Sequence, residues 1–308
     1  MTLAAGIDVG GTKCLGVVVD ERGVIVRQGR RPTPHGPSAI LHVLADLARE
    51  LAPYDSLGIG VPGLVTRTGT LRAAPNLVDV RELAIGPRLS EQLGHPVAVD
   101  NDATCAAAAE WRHGAGQGAT DMIMVTLGTG IGGGIIAGGQ VQRGANGFAG
   151  EIGHIVVHPD GPPCPCGRRG CWERYASGSG LGRLAQEAAA AGALSAVLDA
   201  VGDVGSIRGE DLQIAARDGD SEAIEVIDDY GRWVALGLVN LTNILDPSIF
   251  VLGGGLAVSS DLYLDPIKKW FLRLLYSPEL RPHPALVFAQ LGSEAGAIGA
   301  SLLPRLQT

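Results

Sequence analysis

The chain has 308 residues, 46% hydrophobic and only 4% aromatic, with 46 glycines, five cysteines and a formal net charge of −8. That length suggests two domains, while the acidic balance disfavours nucleic acid as the main partner. No run of about 18 uncharged apolar residues suggests a membrane span, no charged-then-apolar leader follows Met1, and the cysteines are too sparse for a disulfide scaffold, so a cytoplasmic chain is expected.

The first segment, Ala5-Gly-Ile-Asp8-Val-Gly10-Gly11-Thr12-Lys13 leading into an apolar run, reads as strand, glycine turn, strand. After the GluArgGly turn, Val24–Val26 forms a third strand, and the basic cluster at 27–31 reads as a solvated strand end. Apolar residues at 40, 43, 44, 47 and 51 give Ser38–Leu51 helical spacing. Leu57–Val61 reads as a buried strand ending in the Pro62-Gly63 turn, and Val97–Asp100 as another short strand. Asn101-Asp102 then stands directly before an alanine-rich helical run, as helix caps do. Cys14 and Cys105 sit among apolar or small residues and read as inert core thiols.

Residues 122–134 repeat the opening pattern: apolar strand, the Gly/Thr turn around Gly128-Thr129-Gly130, apolar strand. Two similar α/β halves imply a cleft, a common place for a ligand. Turns without Cβ atoms let the backbone approach a phosphate and aim N–H groups at its oxygens. Thr12 and Thr129 add hydroxyl donors, Lys13 a charge, and Asp8 a carboxylate for water or magnesium. Neither turn has the Walker or dinucleotide pattern in its context; their matched positions carry the signal.

The stretch Glu151-Ile-Gly-His154 followed by Cys164-x-Cys166-Gly-x-x-Gly-Cys171-x-Glu173 packs three cysteines and a histidine into metal-ligand spacing. His154, Cys164, Cys166 and Cys171 would supply a closed tetrahedral zinc site of the structural type, with His158 a rival fourth ligand. A redox pair fits less well, because the spacing is Cys-x-Cys rather than Cys-x-x-Cys. The two glutamates stay unused by the metal, and a staple that holds spare acids points to a substrate site.

Further on, Ala191–Glu210 mixes Gly, Ser and Asp with short apolar pieces and reads as a mobile excursion. Asp220–Leu245 reads as one long helix, with Ile227, Tyr230, Val234, Leu238, Leu241 and Leu245 on one stripe and Asp246-Pro247 as its stop. The stripe reads as core. A strand, SerIlePheValLeu, precedes Gly253-Gly254-Gly255, and 293–303 reads as a C-terminal helix.

Taken in order, Asp8-x-Gly10-Gly11-Thr12-Lys13, Gly60-Val-Pro62-Gly63, Asn101-Asp102-Ala103, Leu127–Gly134, Glu151-x-Gly-His154 and the cysteine motif resemble the ROK family of sugar kinases and repressors, from about residue 5 to about residue 303. The cysteine motif is the most specific of these; the glycine turns are shared across the actin-like ATPases. The resemblance implies an α/β fold of two ribonuclease-H-like domains, of the actin-like ATPase and hexokinase type, closing over ATP and a hexose. It implies boundaries at 1–115 plus 294–308 for a small domain and 116–293 for a large one carrying the zinc motif, with the C-terminal helix crossing back to the first. It further implies a homodimer or homotetramer and magnesium with ATP.

Carried over residue by residue, the resemblance makes Asp102 the base that takes the proton of the sugar 6-hydroxyl. Asn101, Glu151, His154, Glu173 and Asn76 would hold sugar hydroxyls. Asp8, Gly10, Gly11, Thr12, Lys13, Thr129 and Gly130 would serve the phosphates, and Gly253, Gly254 and Gly255 the adenosine. A helix end favours the ionised form of Asp102, so orientation rather than basicity is expected of it, which a loose phosphoryl-transfer transition state tolerates. The activity implied is ATP-dependent phosphorylation of glucose at the 6-hydroxyl. Alternatives are a kinase of N-acetylmannosamine, N-acetylglucosamine, mannose or fructose, or one using polyphosphate. A sugar-responsive repressor is disfavoured, since such proteins carry a helix-turn-helix ahead of this motif and seven residues precede Asp8.

Overall fold

The opening glycine turn folds as its sequence suggests, with β1 (Ala4–Val9) and β2 (Lys13–Val19) pairing antiparallel around it in the computed structural model, which describes residues 2–74, 77 and 80–307. There follow β3 (Ile25–Pro32), α1 (Pro37–Leu51), β4 (Ser56–Val61), β5 (Leu64–Val65), β6 (Leu71–Ala73), β7 (Arg81–Leu83), α2 (Ile85–Leu93), β8 (Val97–Asn101) and α3 (Asp102–His113). Next come β9 (Met122–Leu127), β10 (Ile131–Ala137), β11 (Gln140–Val141), α4 (Glu173–Ala176), α5 (Gly178–Ala190), α6 (Ser195–Val201), α7 (Gly209–Arg217) and α8 (Ser221–Leu245). The chain ends with β12 (Ile249–Gly253), α9 (Ser260–Leu274), β13 (Ala285–Phe288) and α10 (Ala295–Leu306).

Two compact units result. The first holds the chain up to Met124, Gly133–Gly150, and the chain from Ala289 on; the second holds Val125–Gly132 and Glu151–Phe288. The chain therefore changes unit at 124/125, 132/133, 150/151 and 288/289, where the family resemblance implies 115/116 and 293/294.

In the first unit five strands run in the order β3-β2-β1-β4-β8, with β1, β4 and β8 parallel and β2 and β3 antiparallel. α1 buries Leu44, Leu47, Ala48 and Leu51 against one face, where Ile7, Val18, Leu57 and Ile59 belong to the same core. α10 lies on the opposite face. Its approach depends on Gly6 and Gly58, which are register partners. A Cβ at Gly58 would stand 1.9 Å from the Ala300 carbonyl, and one at Gly6 2.0 Å from that of Ala297. Bare backbone in these strands is what lets the helix lie down there.

Also in the first unit β10 pairs antiparallel with β11 at Ile136 and Ala137, and in the second β12 and β13 pair parallel. In the second unit, α8 is the long helix expected, capped by the Asp220 carboxylate on Ala223 N (2.9 Å) and ended by Asp246 in the left-handed conformation. Ile227, Tyr230, Val234, Leu238 and Leu241 are buried as core, whereas Leu245 is 40% exposed at the last turn. Trp172, next to the last cysteine, is fully buried on this helix and donates its indole N–H to Trp233 O (2.8 Å). Gly237 makes room for it, since a Cβ there would lie 2.0 Å from the indole ring. The Tyr230 hydroxyl adds a bond to Ala176 O (2.7 Å), so α8 braces both ends of the segment that follows the cysteine motif.

The expectation of a mobile excursion at 191–210 is corrected. The segment forms α6, a 3-10 turn at Val204–Ser206 and the start of α7, with Leu194, Val197 and Ile207 buried. Leu194 N bonds the Glu222 carboxylate at 2.7 Å. Those three buried side chains anchor the segment, which a composition rich in Gly, Ser and Asp conceals. Among the described residues no single helix is long and apolar enough to cross a membrane.

Candidate functional site

In the first unit, β8 ends at Asn101, whose side-chain carbonyl caps α3 by accepting from Ala103 N (2.9 Å) and Thr104 N (3.1 Å). Its amide nitrogen donates to Gly63 O (3.2 Å), tying the strand end to the turn after β4. Asp102 opens α3, and its carboxylate accepts from Ala103 N at 2.9 Å. Burial nevertheless pushes its pKa up, outweighing that hydrogen bond. Burial therefore works against the helix end, which favours the ionised form expected from the sequence.

Asp8, on β1, packs against the start of α10, where a Cβ at Gly296 would lie 2.7 Å from its carboxyl carbon. Its pKa is pushed up to about 7, first by burial and second by the charge of Asp102, with Lys13 opposing. Asp8 and Asp102 thus share one electrostatic environment, and their mutual repulsion is relieved by a proton or a cation. Beside them the turn is closed by Gly10 N on Lys13 O (2.9 Å) and braced by the Thr33 hydroxyl on Gly10 O (2.6 Å). Gly11, Thr12 and Lys13 are exposed.

In the second unit the matching turn is closed by Gly128 N on Gly130 O (3.1 Å), and Gly128 O accepts from Gly178 N (2.8 Å) at the start of α5. A cavity of about 990 Å³ opens beside it, walled by Leu127 and Thr129, by Leu181 and Arg183 of α5, by Ile207 and by Gly255. This is the size of a pocket for a drug-sized or nucleotide-sized ligand. Arg174 and Arg183 both reach it, and Arg174 Nε and Arg183 Nη2 are buried without a hydrogen-bond partner among the described residues. Arg183 also pairs with Glu187, and two guanidinium groups beside one cavity suit an anionic ligand.

Of the residues assigned to ATP in this unit, Thr129 and Gly255 line the cavity. Gly253 and Gly254 lie off its wall, Gly254 packing on the backbone of Leu127, and Gly130 sits against the Glu173 carboxylate. Sequence reasoning missed Arg174, Arg183 and the wall at Ile207–Glu210. The SerGlySerGly start of α5, capped by Ser177 on Gly180 N (3.0 Å), was the nearest legible hint.

His154, Cys164, Cys166 and Cys171 come together with their donor atoms all within 4.8 Å of one another. Cys166 Sγ lies 3.6 Å from Cys171 Sγ, and His154 Nδ1 lies 3.8 Å from Cys164 Sγ. An ion bonded to sulfur at about 2.3 Å has tetrahedral edges of about 3.8 Å, so these four side chains could hold one metal ion. The rival His158 stands outside the cluster, its ring 6.4 Å from that of Tyr175. Local bonds shape the knuckle: Cys164 N donates to Arg168 O (2.8 Å) and Gly167 N to Cys164 O (3.0 Å), while Val156 bridges Cys171. Burial raises the Cys164 thiol.

The two glutamates flank this cluster. Glu173 Oε1 lies 3.1 Å from Cys164 Sγ and 3.7 Å from His154 Nδ1, and Glu151 Oε2 lies 3.9 Å from His154 Nε2. Glu151, His154 and Glu173 are thus brought together in the second unit, as Asn101 and Asp102 are in the first. Asn76 lies outside the described residues. Cys14 and Cys105 are fully buried, with pKa values raised by burial, as inert core thiols should be.

A family model described as the ROK family matches residues 4–306. A glucokinase of Streptomyces coelicolor is 43% identical over 99% of this chain and 98% of its own length. A glucokinase of Halalkalibacterium halodurans is 37% identical over 98% and 94%. Among solved structures, a ROK family glucokinase from Streptomyces griseus in complex with glucose and AMPPNP is 42% identical, with a TM-score of 0.85 over 98% of this chain and 99% of that one. The α/β fold is accordingly the two-domain actin-like ATPase and hexokinase type.

Proposed function

The chain belongs to the ROK family, and on that premise we propose that it is a cytoplasmic kinase that transfers the γ-phosphate of ATP to the 6-hydroxyl of glucose. The observation that carries this reading is likeness to a glucokinase at 43% identity across 99% of the chain, with the expected side chains clustered inside each unit.

Asp102 accepts the proton of the 6-hydroxyl as that oxygen attacks phosphorus, and ADP leaves on the far side. Its raised pKa makes it a better base than an ordinary carboxylate, while remaining secondary to positioning in a loose transition state. Asn101 keeps one amide N–H for a sugar hydroxyl after capping α3 and holding Gly63. Glu151, His154 and Glu173 take the hydroxyls on the 1- and 2-position side.

His154, Cys164, Cys166 and Cys171 would hold zinc, a donor set of the closed structural kind that supplies folding energy and no chemistry. With Nδ1 on the metal, His154 is left with Nε2–H as a donor toward sugar. The cavity beside Thr129 and Gly255 would take the adenosine and phosphates, with Arg174 and Arg183 as its cations. Magnesium, when bound, would neutralise phosphate charge, and Asp8 is the carboxylate to hold it through water.

The test is a panel of glucose, mannose, fructose, N-acetylmannosamine and N-acetylglucosamine, with ATP or polyphosphate as donor, compared by kcat/KM. Glucose with ATP should lead. A tenfold preference for another hexose, or for polyphosphate, would replace the reading. The same preparation should elute as a homodimer or homotetramer.

A further inference from the structure

Asp100 and Arg143 form a buried ion pair inside the first unit, with Arg143 Nε 2.6 Å from Asp100 Oδ2, a charge contact without hydrogen-bond alignment, and with Arg143 only 12% and Asp100 2% exposed. Burying two charges costs so much that such a pair stabilises little relative to apolar side chains of the same volume. Its use is better sought in what it holds.

Asp100 directly precedes Asn101 and Asp102 on β8, and its carboxylate accepts from Asn101 N (2.9 Å). Arg143 opens the 143–150 loop, whose last residue, Gly150, is joined to Glu151. That loop is docked along its length. Ala149 N donates to Arg143 O (3.2 Å), Arg67 Nε donates to Gly144 O (3.0 Å), and a Cβ at Gly147 would stand 2.4 Å from Val65 O. Val65 belongs to the hairpin that begins after Gly63, and Gly63 O is held by the Asn101 amide. Strand end, hairpin and loop therefore close into a ring, and the ion pair is its charged link.

We propose that Arg143 and Asp100 are positioning residues for sugar binding. They fix Gly150, from which the chain enters Glu151, relative to the strand end that carries Asn101-Asp102. The proposal rests on the sugar-kinase reading above. Neither side chain is asked to touch substrate, so the signature is a loss of sugar affinity without loss of donor affinity.

The experiment compares wild type with Arg143→Met, Arg143→Lys and the double variant Asp100→Asn with Arg143→Met, measuring KM for glucose, KM for ATP, kcat and Tm. Arg143→Met should raise the glucose KM tenfold or more and leave the ATP KM within twofold. The double variant leaves no unpaired buried charge, so it should recover Tm while keeping the raised glucose KM. Arg143→Lys should restore part of the affinity. If Arg143→Met fails to fold, the double variant decides. A double variant with a glucose KM within twofold of wild type, or with both KM values raised alike, would overturn the proposal. If wild type phosphorylates no hexose, the kinase reading falls and this falls with it; an active wild type beside an unaffected double variant removes the positioning role alone.

Discussion

His154 faces Cys164 with Nδ1, 3.8 Å from the sulfur, and turns Nε2 toward Glu151, whose Oε2 lies 3.9 Å away. One ring thus joins the metal-type cluster on one side to a proposed sugar-binding carboxylate on the other. Taking the metal away should loosen both. We expect about one zinc per chain by elemental analysis, and chelation to lower Tm and raise the glucose KM. Cys166 is the exposed member of the set, so Cys166→Ser should lose metal with the least disturbance to packing. A preparation without zinc that phosphorylates glucose at full rate would end this assignment.

Asp102→Asn keeps an acceptor for Ala103 N and the shape of the first turn of α3, so the variant should fold normally. It removes the proton acceptor for the attacking hydroxyl. We expect kcat to fall by roughly 10²–10⁴-fold, with the glucose KM changed far less. Turnover close to wild type would move the base elsewhere.

What the sequence makes legible is what lies in short contiguous motifs. The cysteine knuckle, the Asn101 cap and the stripe of α8 are local patterns, and, Leu245 apart, each folds as its spacing implies. Features that depend on distant packing are not legible. Ile207–Glu210 becomes a cavity wall because Ile207 docks inward, though its neighbours resemble loop. Asp102 has its pKa raised because desolvation is set by everything packed around it, whereas the helix-end effect can be read from the next few residues. The 143–150 loop bears no chemical motif at all, and its place follows from Arg143 finding Asp100 more than forty positions earlier.

Asp8 should make its titration visible in stability. Its carboxyl moves from an ordinary 3.8 to about 7 on folding, so the folded chain holds a proton that the unfolded chain releases. Below about pH 4 both states are protonated and nothing is lost. Between about 4 and 7 stability falls as pH rises, and above 7 the whole cost of the buried charge is present. Asp8→Asn removes that charge, so it should stabilise the ligand-free protein by about 2 kcal/mol more at pH 8 than at pH 5. The same variant should lose most of its turnover with magnesium and ATP. Urea unfolding at the two pH values is the check, and equal stabilisation at both would mean that Asp8 titrates as an ordinary carboxylate.

Two glycine substitutions should separate packing from ligand binding. A Cβ at Gly58 would lie 1.9 Å from the backbone oxygen of Ala300, and backbone in a packed helix has no rotamer by which to retreat. Gly58→Ala should therefore push α10 off the sheet and cost about 3 kcal/mol or more in urea unfolding. At Gly255 a Cβ meets nothing within 4 Å, yet the residue lines the cavity beside Thr129. Gly255→Ala should leave the unfolding midpoint unchanged and place its methyl where the nucleotide is proposed to lie. A several-fold rise in the ATP KM, with the glucose KM held within twofold, is the expected result. An unchanged ATP KM would shift the nucleotide away from that wall.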